Sequence, residues 1–140
     1  MVEPGRYKIV NAQGGTVVDL NTSNNWNIHA CAAHGGDNQH WDIEQTDDGH
    51  FHIKNAESGG YLAIVDGAPG DGVDAVHWED PFAWAIWPDE NDDSVWRIGV
   101  PDSPFHLDLT NHGDSADGTP IQVWGAWEGR NQCWIFEAGM

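Results

Sequence analysis

Basic residues are scarce. Five Lys and Arg stand against 23 Asp and Glu, a formal charge of −18 over 140 residues. A field of that sign repels a duplex or an anionic membrane surface, so nucleic-acid binding and polybasic anchoring are excluded. Cysteine is nearly absent. Cys31 and Cys133 lie far apart in no metal-ligand spacing, so no disulfide framework is implied and both read as free thiols. No apolar run approaches the roughly 18 residues of a spanning helix, and membrane insertion is not expected. The start, Met1-Val-Glu-Pro-Gly-Arg-Tyr7, lacks the basic beginning and apolar middle of a secretory signal, which makes the cytoplasm the expected location. Helical periodicity is missing throughout.

Aromatic residues are abundant instead. Nine Trp, four Phe and two Tyr separate this chain from disordered acidic sequences, which are poor in them. Short alternating runs such as Gly5–Asn11, Gly15–Leu20 and His50–Asn55 are cut by Gly, Asn, Asp and Pro clusters. With 17 Gly and 7 Pro between the runs, the class is all-β with many tight turns.

The runs repeat. Tyr7, Phe51 and Trp96 are spaced 44 and 45 apart, and Ile9, Ile53 and Ile98 keep the same steps. Val18-Asp19-Leu20, Leu62-Ala63-Ile64 and Leu107-Asp108-Leu109 form a second series, and Gln39-His-Trp41, Phe82-Ala-Trp84 and Gln132-Cys-Trp134 a third. Each unit of about 45 residues is too small to bury its own apolar face, so the three share one core. A propeller needs four or more blades. The expected fold is therefore a β-trefoil with pseudo-threefold symmetry: one domain over residues 1–140, with repeats near 5–46, 47–92 and 93–138. Strand alternation turns Leu107 and Leu109 inward and Asp108 outward, makes inward pairs of Tyr7 with Ile9, Phe51 with Ile53 and Trp96 with Ile98, and leaves Trp41, Trp84 and Trp134 as a central aromatic layer.

The Gln-x-Trp element, the Leu-Asp-Leu element and the threefold repeat resemble the ricin B-chain type (R-type) β-trefoil lectins, over Gly5 to Glu137. Without a leader or disulfides the chain is similar to the small cytosolic agglutinins of mushrooms and other fungi. The resemblance implies one sugar site per repeat. An Asp accepts from two adjacent hydroxyls, an aromatic ring stacks on the C–H face, an Asn before the Gln-x-Trp donates to a hydroxyl, and the Gln braces the Asp. These roles suit the groups: a carboxylate is acceptor-only, and a ring offers apolar area at low entropic cost.

In the third repeat the matching residues are Asp108, Asn131 and Gln132, with Gln122 and Trp124 on the aromatic strand and Trp127 as an alternative platform. In the first they are Asp19, Asn38 and Gln39. Alignment on Asn-Gln sets Cys31 opposite Trp124 and His34 opposite Trp127, so His34 is the expected platform there. The middle repeat has Ala63 in place of the Asp and Pro81-Phe82 in place of Asn-Gln, and is expected to be silent. The implied partners are glycans ending in galactose or N-acetylgalactosamine, bound at two sites without a cofactor. An agglutinin or defence role follows, with release from the cytoplasm to meet foreign glycans. The net charge opposes self-association but leaves room for a homodimer with a neutral patch.

Other chemistry is weaker. Carboxylate pairs at glycosidase separations arise by chance among so many acids. Gly113-Asp-Ser115-Ala-Asp117 lacks the final Gly and the strand-to-helix setting of a nucleophile elbow. His50-x-His52 and the Asp66–Asp74 loop read as solvated surface rather than metal ligands, and Asp89–Asp93 as a solvated hairpin tip. A trefoil protease inhibitor acting through surface loops is the rival reading, but it has no need of a doubled Asp…Asn-Gln set.

Overall fold

The computed structural model describes residues 2–23 and 26–138. The described residues form twelve strands: β1 (Gly5–Asn11), β2 (Val17–Leu20), β3 (Ile28–Cys31), β4 (Trp41–Gln45), β5 (Phe51–Asn55), β6 (Tyr61–Ile64), β7 (Val73–Trp78), β8 (Ala85–Pro88), β9 (Trp96–Gly99), β10 (Phe105–Leu109), β11 (Thr119–Gly125) and β12 (Trp134–Ala138). Single 3-10 turns at Asp37–Gln39 and Arg130–Gln132 lead into β4 and β12. At Thr110–Gly113 the chain makes a left-handed turn, with Asn111 and His112 at φ 55° and 58°.

All pairings are antiparallel. Strands β1, β4, β5, β8, β9 and β12 pair in a ring, closed by a bridge between Phe51 and Trp84 and by the β1–β12 ladder from Tyr7↔Ala138 to Asn11↔Trp134. Hairpins β2–β3, β6–β7 and β10–β11 meet one another through β11–β3, β11–β7 and an Asn27–Val76 bridge. A six-stranded barrel capped by a triangle of hairpins is a β-trefoil.

The core follows the repeat. Trp41, Trp84 and Trp134 are fully buried. Each indole N–H donates to the carbonyl that opens the second repeated element: Trp41 to Val18 (3.0 Å), Trp84 to Leu62 (2.9 Å) and Trp134 to Leu107 (3.1 Å). One side chain thus fills the barrel and ties it to its cap. Deleting such a ring costs about 3–5 kcal/mol. Ile9, Ile53, Ile98, Phe51, Leu107 and Leu109 join this core. Tyr7 and Trp96 do not turn fully inward. Both are half-buried, packed edge-on against Phe136, and Tyr7 Oη donates to the Glu3 carbonyl.

Neighbouring repeats are clamped by asparagine. Asn11, buried at the end of β1, donates to the Asn131 carbonyl (2.9 Å), and Asn55 at the end of β5 donates to the Asn38 carbonyl (3.1 Å). Each asparagine thus ties down the Asn-Gln turn of the preceding repeat.

Candidate carbohydrate-binding sites

Register builds the third-repeat site. Asp108 on β10 pairs with Gln122 on β11, so Gln122 and, two residues on, Trp124 project from the same face as the carboxylate. Asp108 turns away from the core, yet it is only 5% exposed, because the Asn131-Gln132 turn covers it. Asn131 Nδ2 donates to Oδ1 (3.2 Å) and Gln132 Nε2 to Oδ2 (2.9 Å). Asn131 Nδ2 also serves the Leu109 carbonyl at 3.1 Å, so both its protons are spent inside the protein. What Asn131 offers a sugar is its carbonyl oxygen, an acceptor. Reversing the amide would set that oxygen against a carboxylate and a carbonyl.

Gln132, fully buried, is a brace. Besides Asp108 it donates to the Gly125 carbonyl (3.1 Å), and it accepts from the Trp127 backbone N–H (3.1 Å). Behind it stands a buried ion pair that the acidic run concealed. Asp89 is not a solvated tip residue: its Oδ1 accepts from Arg97 Nε at 2.7 Å. Arg97 in turn reaches Gln132 Oε1 (3.3 Å) and the Trp127 carbonyl (2.8 Å).

Trp124 and Trp127 wall a cavity of about 560 Å³ that Asp108, Asn111, His112, Gln122 and Asn131 also line. The indoles are 40% and 47% exposed, an uncommon state for this side chain without a ligand. Trp124 Nε1 donates to Gln122 Oε1, and Gln122 Nε2 to Asp74 Oδ1, which fixes the Trp124 ring. The Trp127 ring lies against Gly129, where there is no room for a side chain, and meets His112 edge-on. Burial raises the Asp108 carboxyl above the ordinary carboxylate range, outweighing the bonds from Gln132 and Asn131.

The first-repeat site repeats the frame. Gln39 Nε2 donates to Asp19 Oδ2 (2.8 Å) and the Ala32 carbonyl (3.0 Å), and Gln39 Oε1 accepts from the His34 backbone N–H (2.8 Å). Asn38 Nδ2 reaches Asp19 Oδ2 (3.3 Å) and the Leu20 carbonyl (3.1 Å). His34 takes the place of Trp127. Its Nδ1 accepts from Gly36 N–H, and its Nε2 stands 3.8 Å from Asp19 Oδ2.

One neighbour is new. His29 lies directly across from Asp19, its Nε2 3.0 Å from Oδ1. The alignment that sets Cys31 opposite Trp124 also sets His29 opposite Gln122, so it was within reach of the sequence. Burial pushes Asp19 up, but the bonds from His29 and Gln39 prevail and hold it below its ordinary value. Burial also raises the Cys31 thiol. Cys31 and Cys133 are both free.

The second repeat lacks the frame. Ala63 faces Val76 in the matching register. Trp78 is exposed, and a larger cavity of about 910 Å³ runs beside it past Trp26 and His77. Asp66, Asp74 and Asp80 line it, but none occupies the Ala63 position that matches Asp19 and Asp108, and Asp74 is engaged by Gln122.

The sequence matches the family model described as ricin-type beta-trefoil lectin domain-like over residues 1–78 and 37–124. No curated protein matches it significantly. Among solved structures it is similar to the ricin B-like lectin of Macrolepiota procera in complex with lactose, at 40% identity and TM-score 0.93 over 99% of each chain. The Rhizoctonia solani agglutinin is 26% identical with TM-score 0.88, over 99% of this chain and 97% of that one. The designed threefold-symmetric protein ThreeFoil is alike in fold, at 24% identity and TM-score 0.85 over 95% of this chain and 98% of its own.

Proposed function

We propose that this chain, which belongs to the ricin-type β-trefoil lectin family, binds glycans ending in galactose or N-acetylgalactosamine through its first and third repeats, without catalysis. The observation that carries the reading is the doubled frame: Asp19 and Asp108, each held by an Asn-Gln pair whose Gln also fixes the backbone of the flanking His34 or Trp127. A carboxylate with settled geometry accepts from two neighbouring hydroxyls. An axial 4-hydroxyl frees one sugar face to stack, which favours the galacto configuration. The complex of the Macrolepiota relative with lactose, a galactoside, supports the same choice.

The two pockets are unequal. Asp108 keeps both indoles and shares its carboxylate only with amides, whereas Asp19 already serves His29. The third-repeat site is therefore the tighter. A monosaccharide in a shallow pocket binds near millimolar, about 4 kcal/mol, and two sites on one rigid body, or four in a homodimer, gain roughly 10²–10⁴ on a glycan-coated surface. Agglutination of cells bearing such glycans is the expected consequence.

Calorimetric titration with lactose, beside the Asp19→Ala/Asp108→Ala variant, tests this. Two sites are expected in the parent and none in the variant. Undiminished binding by a folded double variant would refute the assignment.

A further inference from the structure

The first-repeat pocket departs from the third in a way that sugar binding does not use. Strands β2 and β3 are hydrogen-bonded neighbours with Asp19 opposite His29, and Cys31, two residues on, projects from the same face. A carboxylate oxygen, an imidazole nitrogen and Sγ of these residues lie within 4.8 Å of one another. The corresponding third-repeat residues are Asp108, Gln122 and Trp124, so two of the three ligating groups are lost there. We propose that Asp19, His29 and Cys31 form a binding site for a divalent transition-metal ion of the zinc class. The proposal shares Asp19 with the galactoside reading but stands on His29 and Cys31, which that reading does not employ.

The donor set selects the metal. One oxygen, one nitrogen and one sulfur suit zinc, whereas magnesium and calcium take oxygen ligands. Tetrahedral zinc, with bonds of about 2.0–2.3 Å, sets neighbouring ligand atoms about 3.3–3.8 Å apart. His29 Nε2 and Asp19 Oδ1, now 3.0 Å apart in a hydrogen bond, need to open by only a few tenths of an ångström as the ion replaces the shared proton. The sulfur needs to close by no more than about 1 Å, and side-chain rotation on a fixed hairpin supplies both movements. Gln39 holds the far side of the carboxylate at 2.8 Å, the outer hydrogen bond that metal-ligating carboxylates carry. Three protein ligands leave a fourth position for water. His34 does not fill it as placed, because its Nδ1 accepts from Gly36 N–H and the neutral ring then carries its proton on Nε2. Cys31 and His29 are both part-exposed, so an ion can enter, and the net charge of −18 draws cations to the surface.

An ion held by Asp19 takes the lone pairs a sugar hydroxyl needs. Zinc and galactoside therefore exclude each other in the first repeat, and the third is unaffected.

The test uses the full chain, freed of metal by a chelator and titrated with Co²⁺ and then Zn²⁺. One ion per chain is expected, with a near-ultraviolet sulfur-to-cobalt charge-transfer band that zinc abolishes. Cys31→Ser should remove the band, and His29→Gln, which installs the third-repeat residue, should weaken binding at least about tenfold, since even outer-sphere losses cost 10–100-fold. Cys133→Ala should change neither. Cobalt bound without the band overturns the proposal, and the native protein alone delivers that result. So does binding retained by a folded Cys31→Ser/His29→Gln protein, where surface carboxylates would be the ligands. Lactose calorimetry separates this reading from the previous one. With zinc the lactose stoichiometry should fall from two to one, and an unchanged value would remove Asp19 from the ligand set. A protein that shows the cobalt band but binds no galactoside would refute the sugar assignment alone.

Discussion

Replacing Gln132 by alanine should unfasten the third-repeat pocket while leaving the first intact. The buried amide donates to Asp108 Oδ2 and the Gly125 carbonyl, and accepts from the Trp127 backbone N–H. A neutral hydrogen bond nets about 1 kcal/mol and one to a charged group about 1.5–3. Two of the first kind and one of the second give about 3.5–5 kcal/mol, from a typical total of about 5–15. Arg97 is left out of that figure, since it keeps Asp89 and the Trp127 carbonyl. At about 2–4 °C per kcal/mol for a chain of this size, the melting temperature should fall by about 7–20 °C. Scanning calorimetry reads the fall, and a lactose titration below the new transition should find one site rather than two. A drop under about 3 °C, or two lactose sites of unchanged affinity, would refute the claim that this glutamine holds the carboxylate and the Trp127 loop together. Gln39→Ala should repeat the result with the surviving site exchanged.

Three further outcomes are expected. Trp124→Ala and Trp127→Ala should identify the stacking platform: its loss weakens lactose binding at the third-repeat site about fivefold, near 1 kcal/mol, and affinity unchanged from the parent in both variants would leave neither ring as the platform. Asp108 has a raised pKa, so between the ordinary carboxylate value and its own the fold holds a proton that the unfolded chain has released. As pH falls through that window Asp108 should lose its grip on sugar while its own contribution makes the fold more stable, and Asp108→Asn should abolish both trends in calorimetry. His106 acts with the opposite sign. Burial, with Arg97 nearby, lowers it to about 4, so as pH drops from about 6.5 to there the unfolded chain takes a proton the fold refuses. After allowance for solvent screening the loss is about 2 kcal/mol. His106→Phe, which keeps the edge-on contact with Trp87, should make the fall in melting temperature across that range shallower by that amount, with the remainder left to groups such as His77, which burial also lowers.

What could be read from the sequence was whatever recurs. The tryptophan layer, the Asp…Asn-Gln frame and the three-part architecture are periodic, and a period is visible without coordinates. The frame's chemistry was partly reversed, since Asn131 and Asn38 spend their protons on the protein. Features that break the period were harder to see. Asp89 lies in a run of charges, and only the β8–β9 register, with Pro88 against Trp96, carries it into the interior beside Arg97. His29 needed the β2–β3 register to be seen across from Asp19. Tyr7 and Trp96 obey strand alternation, but they sit where Phe136 caps the core, and alternation alone does not say how deep a face lies.

The ladder between β1 and β12 makes the starting point of this chain arbitrary. Tyr7 and Ala138 are direct partners across it, so β12 could be run into β1 through a short linker with no strand changing its neighbours. A permuted gene opened at the Asp47–Gly49 turn between β4 and β5 would encode the same ring in the order β5 to β12 and then β1 to β4. Such a rearranged chain would melt near the parent and keep both pockets. Its order of synthesis would differ, with the third-repeat pocket assembled well before the first.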